Sequence, residues 1–77
     1  MPKIPIIKAK DFYKYITKYS CELVSIKGSH HKILNKLNNK SSILPIHGNE
    51  DLKKGLFAKI LKDLGIDANE FIKFMNK

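Results

Sequence analysis

The chain has 77 residues, a length that provides one small domain and no second hydrophobic core. Hydrophobic residues make up 43% of the sequence and charged residues 29%, which is the range of globular proteins and excludes a wholly disordered or membrane-embedded chain. The formal net charge is +8, and all fifteen basic residues are lysines.

The positive charge lies mostly in the first half of the sequence. Residues 1–40 contain nine lysines and two acids, whereas residues 41–77 contain six lysines and five acids. Such an asymmetric field favours a polyanionic partner such as nucleic acid. Lysine contacts phosphate as a mobile point charge, so sequence-specific reading of the DNA major groove is disfavoured. Lysine enrichment for solubility or from coding bias is the alternative explanation.

The sequence contains no segment that predicts export or insertion into a membrane. Its longest uncharged apolar stretch is residues 4–7, far below the roughly 20 residues of a spanning helix. The N-terminus lacks the features of a signal peptide. The single cysteine, Cys21, can form neither an intramolecular disulfide nor a thiolate pair for a metal. We therefore expect a cytoplasmic protein without membrane contact, in which Cys21 is a small strand residue.

The first predicted elements are a helix and a strand. Pro2 and Pro5 predict an extended start, and apolar residues at helical spacing then predict a helix over residues 9–19. A β-prone run follows at residues 21–27, and Gly28-Ser29 has the length and chemistry of a two-residue hairpin turn.

Two further strands and a helix are predicted next. Residues 30–37 form a second extended run, residues 38–41 a turn, and residues 42–46 a third strand that Pro45 restricts to an edge or an end. After a loop, Asn49 or Asp51 can cap a helix that carries most of the core and stops at Gly65.

A last helix is predicted over residues 68–76, because Asp67 and Glu70 have the spacing of an N-cap residue and its N3 partner. The element order is α-β-β-β-α with an additional C-terminal helix. It predicts an α+β sandwich in which helices cover one face of a small antiparallel sheet.

Three histidines are the candidates for acid–base chemistry. His30 and His31 are consecutive on a predicted strand, so their side chains point to opposite faces and one of them is available to a ligand. His47 follows the third strand. Glu50 and Asp51 could approach these histidines, but no CxxC or helical His-x-x-x-His pair anchors a metal site, and we expect none. Motifs for phosphate-loop, dinucleotide or serine-hydrolase chemistry are absent.

An available histidine that follows a Gly-Ser turn and is surrounded by Lys27, Lys32 and Lys36 suits the cleavage of RNA. A neutral imidazole can take the proton of a ribose 2′-OH, and ammonium groups can stabilise the charge that develops on the phosphate. No metal or other cofactor is needed, because the substrate already holds its nucleophile. The competing interpretation is a structural histidine in a basic sheet.

Three ordered segments resemble the HicA family of toxins: CELVSIKGSHHKI at 21–33, LPIH at 44–47 and DLKKGLFAKILKDLGI at 51–66. The resemblance covers about residues 8–66. It implies a double-stranded-RNA-binding-domain-like fold and a small, ribosome-independent mRNA endonuclease that a HicB antitoxin, encoded beside it, neutralises. A single HicA-like domain over residues 1–77 would then have this core and a helical extension at 67–77.

The resemblance also implies site residues. The catalytic histidine of the family falls on His30, with His31 as the second candidate, and the Pro-x-His pattern gives His47 a supporting role. RNA contacts are expected from the surrounding positions, Lys27, Gly28, Ser29, Lys32 and Lys36. The chain departs from the family pattern at Ser20-Cys21, at Asn38-Asn39 and in its extension, all outside the expected site.

Two other functions compete with an RNA-cleaving toxin. The first is a non-catalytic module that binds double-stranded RNA by shape. The second is an interaction subunit whose basic face meets an acidic protein. The expected partners of the toxin are mRNA and a HicB-like antitoxin, in an arrangement that can extend to a larger toxin–antitoxin complex.

Overall fold

A two-residue strand, β1 (Ile7–Lys8), leads directly into the helix α1 (Ala9–Tyr19) in the computed structural model, which describes residues 3–77. Phe12 and Ile16 recur at helical spacing on the buried side of α1, and lysines occupy the opposite side. The helix predicted over residues 9–19 is confirmed. The expectation for Pro2 lies outside the described residues.

Three antiparallel strands follow in the spatial order β2-β3-β4, namely β2 (Cys21–Lys27), β3 (His30–Asn35) and β4 (Lys40–Pro45). The first strand and the Gly28-Ser29 turn have the predicted bounds. The second strand ends at Asn35, earlier than predicted, because residues 36–39 form the turn. The third strand therefore begins two residues earlier than the predicted 42–46.

Within the described residues, helices cover one face of this sheet and leave the other uncovered. Ile33 and Leu44 point to the helices and are fully buried, whereas Ile43, their neighbour on the other face, is 45% exposed. Pro45 lies at the end of β4, which pairs with β3 alone in this sheet. Its predicted place at an edge and a strand end is confirmed.

The loop after β4 does not cap the next helix, contrary to the sequence-based expectation for Asn49 or Asp51. Asp51 instead belongs to a short strand, β5 (Asp51–Leu52), which pairs antiparallel with β1. Helix α2 (Lys54–Asp63) begins after Lys53 without a side-chain cap. The capping pattern had placed residue 51 at the start of the helix, but this residue pairs with β1 as part of β5 instead.

Hydrogen bonds connect the end of α2 to the end of β3 and the turn that follows it. Gly65 adopts a φ of +69°, which favours glycine and ends the helix as predicted. The side-chain amides of Asn35 and Asn38 both donate to the carbonyl of Leu64, at 2.8 and 3.0 Å. A Cβ atom at Gly65 would lie 2.7 Å from Nδ2 of Asn38. This close contact fixes α2 on the far end of the sheet.

The last helix, α3 (Ala68–Met75), begins as predicted, because the carboxylate of Asp67 accepts a hydrogen bond from the backbone N–H of Glu70 at 3.1 Å. Phe71 is fully buried, with its ring centroid 5.4 Å from that of Phe12 and 6.0 Å from that of Phe57. The architecture is the predicted α+β one. It has the α-β-β-β-α order of a double-stranded-RNA-binding domain, with α3 added to its core.

Replacement of Phe71 by alanine tests whether α3 is an integral part of this core. The Phe71→Ala change opens a cavity among four aromatic rings and is expected to lower the free energy of unfolding by about 3–5 kcal/mol. Urea denaturation followed by circular dichroism measures it. Phe74→Ala is the matched control, since the partly buried Phe74 ring contacts Tyr19 at the margin of the core, and it should cost less. A Phe71→Ala protein as stable as the wild type would contradict the assignment of α3 to the core.

Candidate active site

The backbone carbonyl of Ser29, in the turn between β2 and β3, accepts two hydrogen bonds. The N–H of Ile46, just beyond β4, donates at 2.8 Å, and the second contact is to Nδ1 of His31 at 3.0 Å. A carbonyl oxygen can only accept, so this contact places the proton of a neutral His31 ring on Nδ1 and leaves Nε2 as the acceptor. The first bond ties the turn to the end of β4, and the second ties it to the ring of His31 on β3.

His31 lies on the side of the sheet that the helices cover. Its ring packs edge-on against Tyr13 of α1, with the two ring centroids 5.8 Å apart. The side chain is half-buried, whereas that of His30 is exposed. The predicted separation of the two histidines to opposite faces of the sheet is thus confirmed.

His30 lies on the uncovered face of the sheet between two lysines. Lys27 is its cross-strand partner, which puts their Cβ atoms about 5 Å apart. Lys32 follows on the same face, about 7 Å along the strand. We call the surface formed by Lys27, His30 and Lys32 the lysine-histidine face. In this setting an imidazole can take a proton from a bound group while the ammonium groups hold a phosphate.

The remaining predicted RNA contacts divide between the turn and the far end of the sheet. Gly28 has a φ of +61°, and a Cβ atom there would meet nothing within 4 Å, so the turn presents open backbone. Lys36 follows the last residue of β3, where its N–H donates to the carbonyl of Ser20 at 3.0 Å. It therefore lies about 20 Å along the strand from His30. The fold does not bring Lys36 to the lysine-histidine face.

His47 approaches the turn from the end of β4. Its Nε2 lies 3.4 Å from Oγ of Ser29, which is long for a hydrogen bond and indicates a weak one. The same side chain lines an open groove of about 310 Å³, together with Ala9, Pro45, Glu50, Asp51, Leu52, Lys53 and Leu56. Pro45 is also the cross-strand partner of His30. The groove therefore begins next to the lysine-histidine face.

Sequence reasoning missed Tyr13 and the double role of the Ser29 carbonyl. Tyr13 lies beside the buried residues of α1, and its ring packs against the ring of His31 on β3. No local pattern predicts this contact, because it depends on how α1 crosses β3. An aromatic residue on the flank of a helical apolar row was the only available signal.

Residues 3–77 contain no group of three or more His, Cys, Asp or Glu side chains arranged to hold a metal ion. Cys21 is buried beside Ser20, and burial raises the pKa of its thiol. The thiol is thus kept protonated and out of contact with solvent, as expected for a structural strand residue. In the same described part of the chain, no helix has both the length and the apolar composition that crossing a membrane requires.

Comparison with known proteins identifies the family. The sequence model of a family described as the HicA toxin of bacterial toxin–antitoxin matches residues 9–66. A protein of Pseudomonas fluorescens (strain Pf0-1), named a probable mRNA interferase HicA, is 35% identical over 60 residues, which are 78% of this chain and 97% of that protein. No solved structure matches. The family match covers α1, the three-stranded sheet and α2, and on this evidence the chain belongs to the HicA toxin family.

Proposed function

We propose that this chain is the toxin of a type II toxin–antitoxin system and acts as a ribosome-independent endoribonuclease on mRNA in the cytoplasm. The observation that carries the proposal is the lysine-histidine face. In a member of the HicA family, it presents an accessible imidazole between two ammonium groups. The related protein named a probable mRNA interferase supports mRNA as the substrate.

The proposed reaction uses the nucleophile of the RNA itself. His30, in its neutral form, accepts the proton of a ribose 2′-OH, and the 2′-oxygen forms a bond to the adjacent phosphorus. The bond from phosphorus to the 5′-oxygen breaks, a 2′,3′-cyclic phosphate remains, and the 5′-oxygen leaves with its electron pair and takes up a proton from solvent water. Lys27 and Lys32 lie within side-chain reach of the same phosphate and stabilise its developing charge. Because no water or metal hydroxide has to be activated, no metal is required.

The two histidines of β3 have different roles in this proposal. His30 is the base, because the lysines that would hold the phosphate flank it. His31 holds the turn, since its ring is committed to Tyr13 and to the Ser29 carbonyl. Nε2 of His31 can accept a proton, so His31 remains the second candidate for the base. His47 supports the site through its contact with Ser29.

Alanine variants separate these roles. His30→Ala is expected to abolish RNA cleavage and the toxicity of the chain expressed alone, and to change the free energy of unfolding by less than about 0.5 kcal/mol. His31→Ala removes a hydrogen bond and an aromatic contact, so it should cost about 1–2 kcal/mol of stability. The rate of RNA cleavage and the free energy of unfolding in urea are measured on the same samples. A fully active His30→Ala protein together with a folded, inactive His31→Ala protein would transfer the base to His31.

The same variant distinguishes the enzyme from a non-catalytic RNA-binding module. Loss of one neutral imidazole leaves the lysines in place, so His30→Ala protein should bind RNA with nearly unchanged affinity. An enzyme then loses turnover and keeps binding. If the wild-type protein binds RNA and never cleaves it, the binding module is the better description.

Metal independence is tested with a chelator. Cleavage of a long RNA by the wild-type protein should persist in excess EDTA, since the 2′-OH mechanism uses no metal. The matching DNA should stay intact because it lacks the 2′-OH. Loss of activity in the chelator, with recovery on addition of zinc or magnesium, would contradict the mechanism.

The proposed protein partner is a HicB-like antitoxin with an acidic surface. The surface that it must cover is basic, through Lys27, Lys32 and, farther along, Lys36. Opposite charges would make the encounter fast and sensitive to salt. Burial of exposed apolar groups on the same face, such as Ile43, would then slow dissociation. One antitoxin bound in this way excludes RNA directly, and several such pairs can assemble into a larger complex.

Hydrogen exchange of the free and the antitoxin-bound protein tests this occlusion. Protection is expected over residues 26–36, which include the turn and His30. A stable complex that inhibits cleavage but leaves this segment unprotected would exclude direct covering of the site. Inhibition would then have to act by distorting the sheet.

A further inference from the structure

We infer that the groove beside His47 is a subsite for one nucleobase of the RNA, selective for bases that carry an exocyclic amino group. The inference rests on the proposed function, because it assigns the position of the nucleotide next to the cleaved bond. It adds a base preference to a reaction that the lysine-histidine face by itself would carry out at any nucleotide.

The place of the groove relative to His30 supports this inference. Pro45 belongs both to the groove and, by strand pairing, to the immediate surroundings of His30. His47 is two residues farther along and contacts the turn through Ser29. A phosphate bound on the lysine-histidine face therefore has the groove as its neighbour. The base of an adjacent nucleotide can enter the groove while the RNA backbone stays on the lysines.

The size and the walls of the groove suit a single base. Its volume of about 310 Å³ is at the lower end of small-molecule pockets, which leaves no room for a folded stretch of RNA. Leu56, which is partly exposed, supplies apolar surface. The imidazole of His47 is a flat ring on which a base can stack, as bases do on histidine in proteins that read single-stranded RNA.

Glu50 and Asp51 give the groove its chemical preference. Both residues line it and are exposed, and neither carboxylate has a hydrogen-bond or ion-pair partner within residues 3–77. Carboxylates repel phosphate, so in a chain of net charge +8 they mark a place where the RNA backbone does not run. They accept hydrogen bonds from the amino groups of adenine, cytosine and guanine. Uracil has no amino group, and its single N3–H donor lies between two carbonyl oxygens that the carboxylates repel.

Cleavage of short RNAs that differ in one base tests the subsite. A set of oligonucleotides carries each of the four bases at the positions flanking one cleavable bond. Wild-type protein is expected to disfavour uridine at one of these positions by about 5- to 100-fold in kcat/KM, the range for a well-made contact to a base edge. The variant Glu50→Gln with Asp51→Asn can donate as well as accept hydrogen bonds, so its preference should fall to about twofold or less.

Glu22→Gln with Glu70→Gln is the matched control, because it also removes two negative charges, on β2 and α3, from residues that do not line the groove. It should leave the preference unchanged. Wild-type protein that cuts all four sets equally, or a groove variant that keeps the wild-type preference, would overturn the subsite and leave the proposed function intact. A preference lost equally in the control would also overturn it, since net charge would then be the cause.

A binding experiment gives a result even if the wild-type protein cleaves no RNA, an outcome that would refute the proposed function. Adenosine 3′-monophosphate and uridine 3′-monophosphate are titrated separately into isotope-labelled His30→Ala protein and followed by NMR. Resonances of His47 and of the Leu56 methyl groups should shift at lower concentrations of the adenosine nucleotide. Equal shifts with both nucleotides, or none with either, would overturn the subsite independently of catalysis.

Discussion

The carbonyl oxygen of Ser29 is the constraint on which the site depends. It is bonded at once to the end of β4, through the N–H of Ile46, and to the ring of His31, which packs on α1. A two-residue turn at the tip of a hairpin is ordinarily one of the more mobile parts of a sheet. Here it is held from two sides, so His30, which follows directly, is held by a fixed backbone although its own side chain is exposed.

The division of the sheet into a covered and an uncovered face separates stability from chemistry. Alternation along β3 directs Ile33 into the core and Lys32 to solvent, so one strand contributes both to the core and to the lysine-histidine face. A substitution on the uncovered face thus leaves the packing unchanged. The exception is His31, whose place on the covered face makes it part of the scaffold and brings its Nδ1 to the Ser29 carbonyl of the turn.

Local patterns in the sequence were sufficient for much of this fold. Helical spacing, the Gly28-Ser29 turn and the Asp67 cap each encode an element in a few adjacent residues, and each was predicted correctly. The start of α2 was not, because β5 forms only by pairing with β1, more than forty residues earlier in the chain. The same holds for the site: strand alternation predicts the separation of His30 from His31, but the contact of His31 with Tyr13 and the groove at His47 depend on tertiary packing.

The positive charge that suits the chain to RNA also works against its folding. A net charge of +8 on 77 residues makes the folded state repel itself, since compaction brings the lysines closer together. A chain of this length has little apolar surface with which to offset that repulsion. The buried ring of Phe71 adds to a core that already holds Phe12 and Phe57, and α3 thereby stabilises the domain against that repulsion. Any polyanion that covers the lysine-histidine face, whether RNA or an acidic protein, removes part of the repulsion and stabilises the fold as it binds.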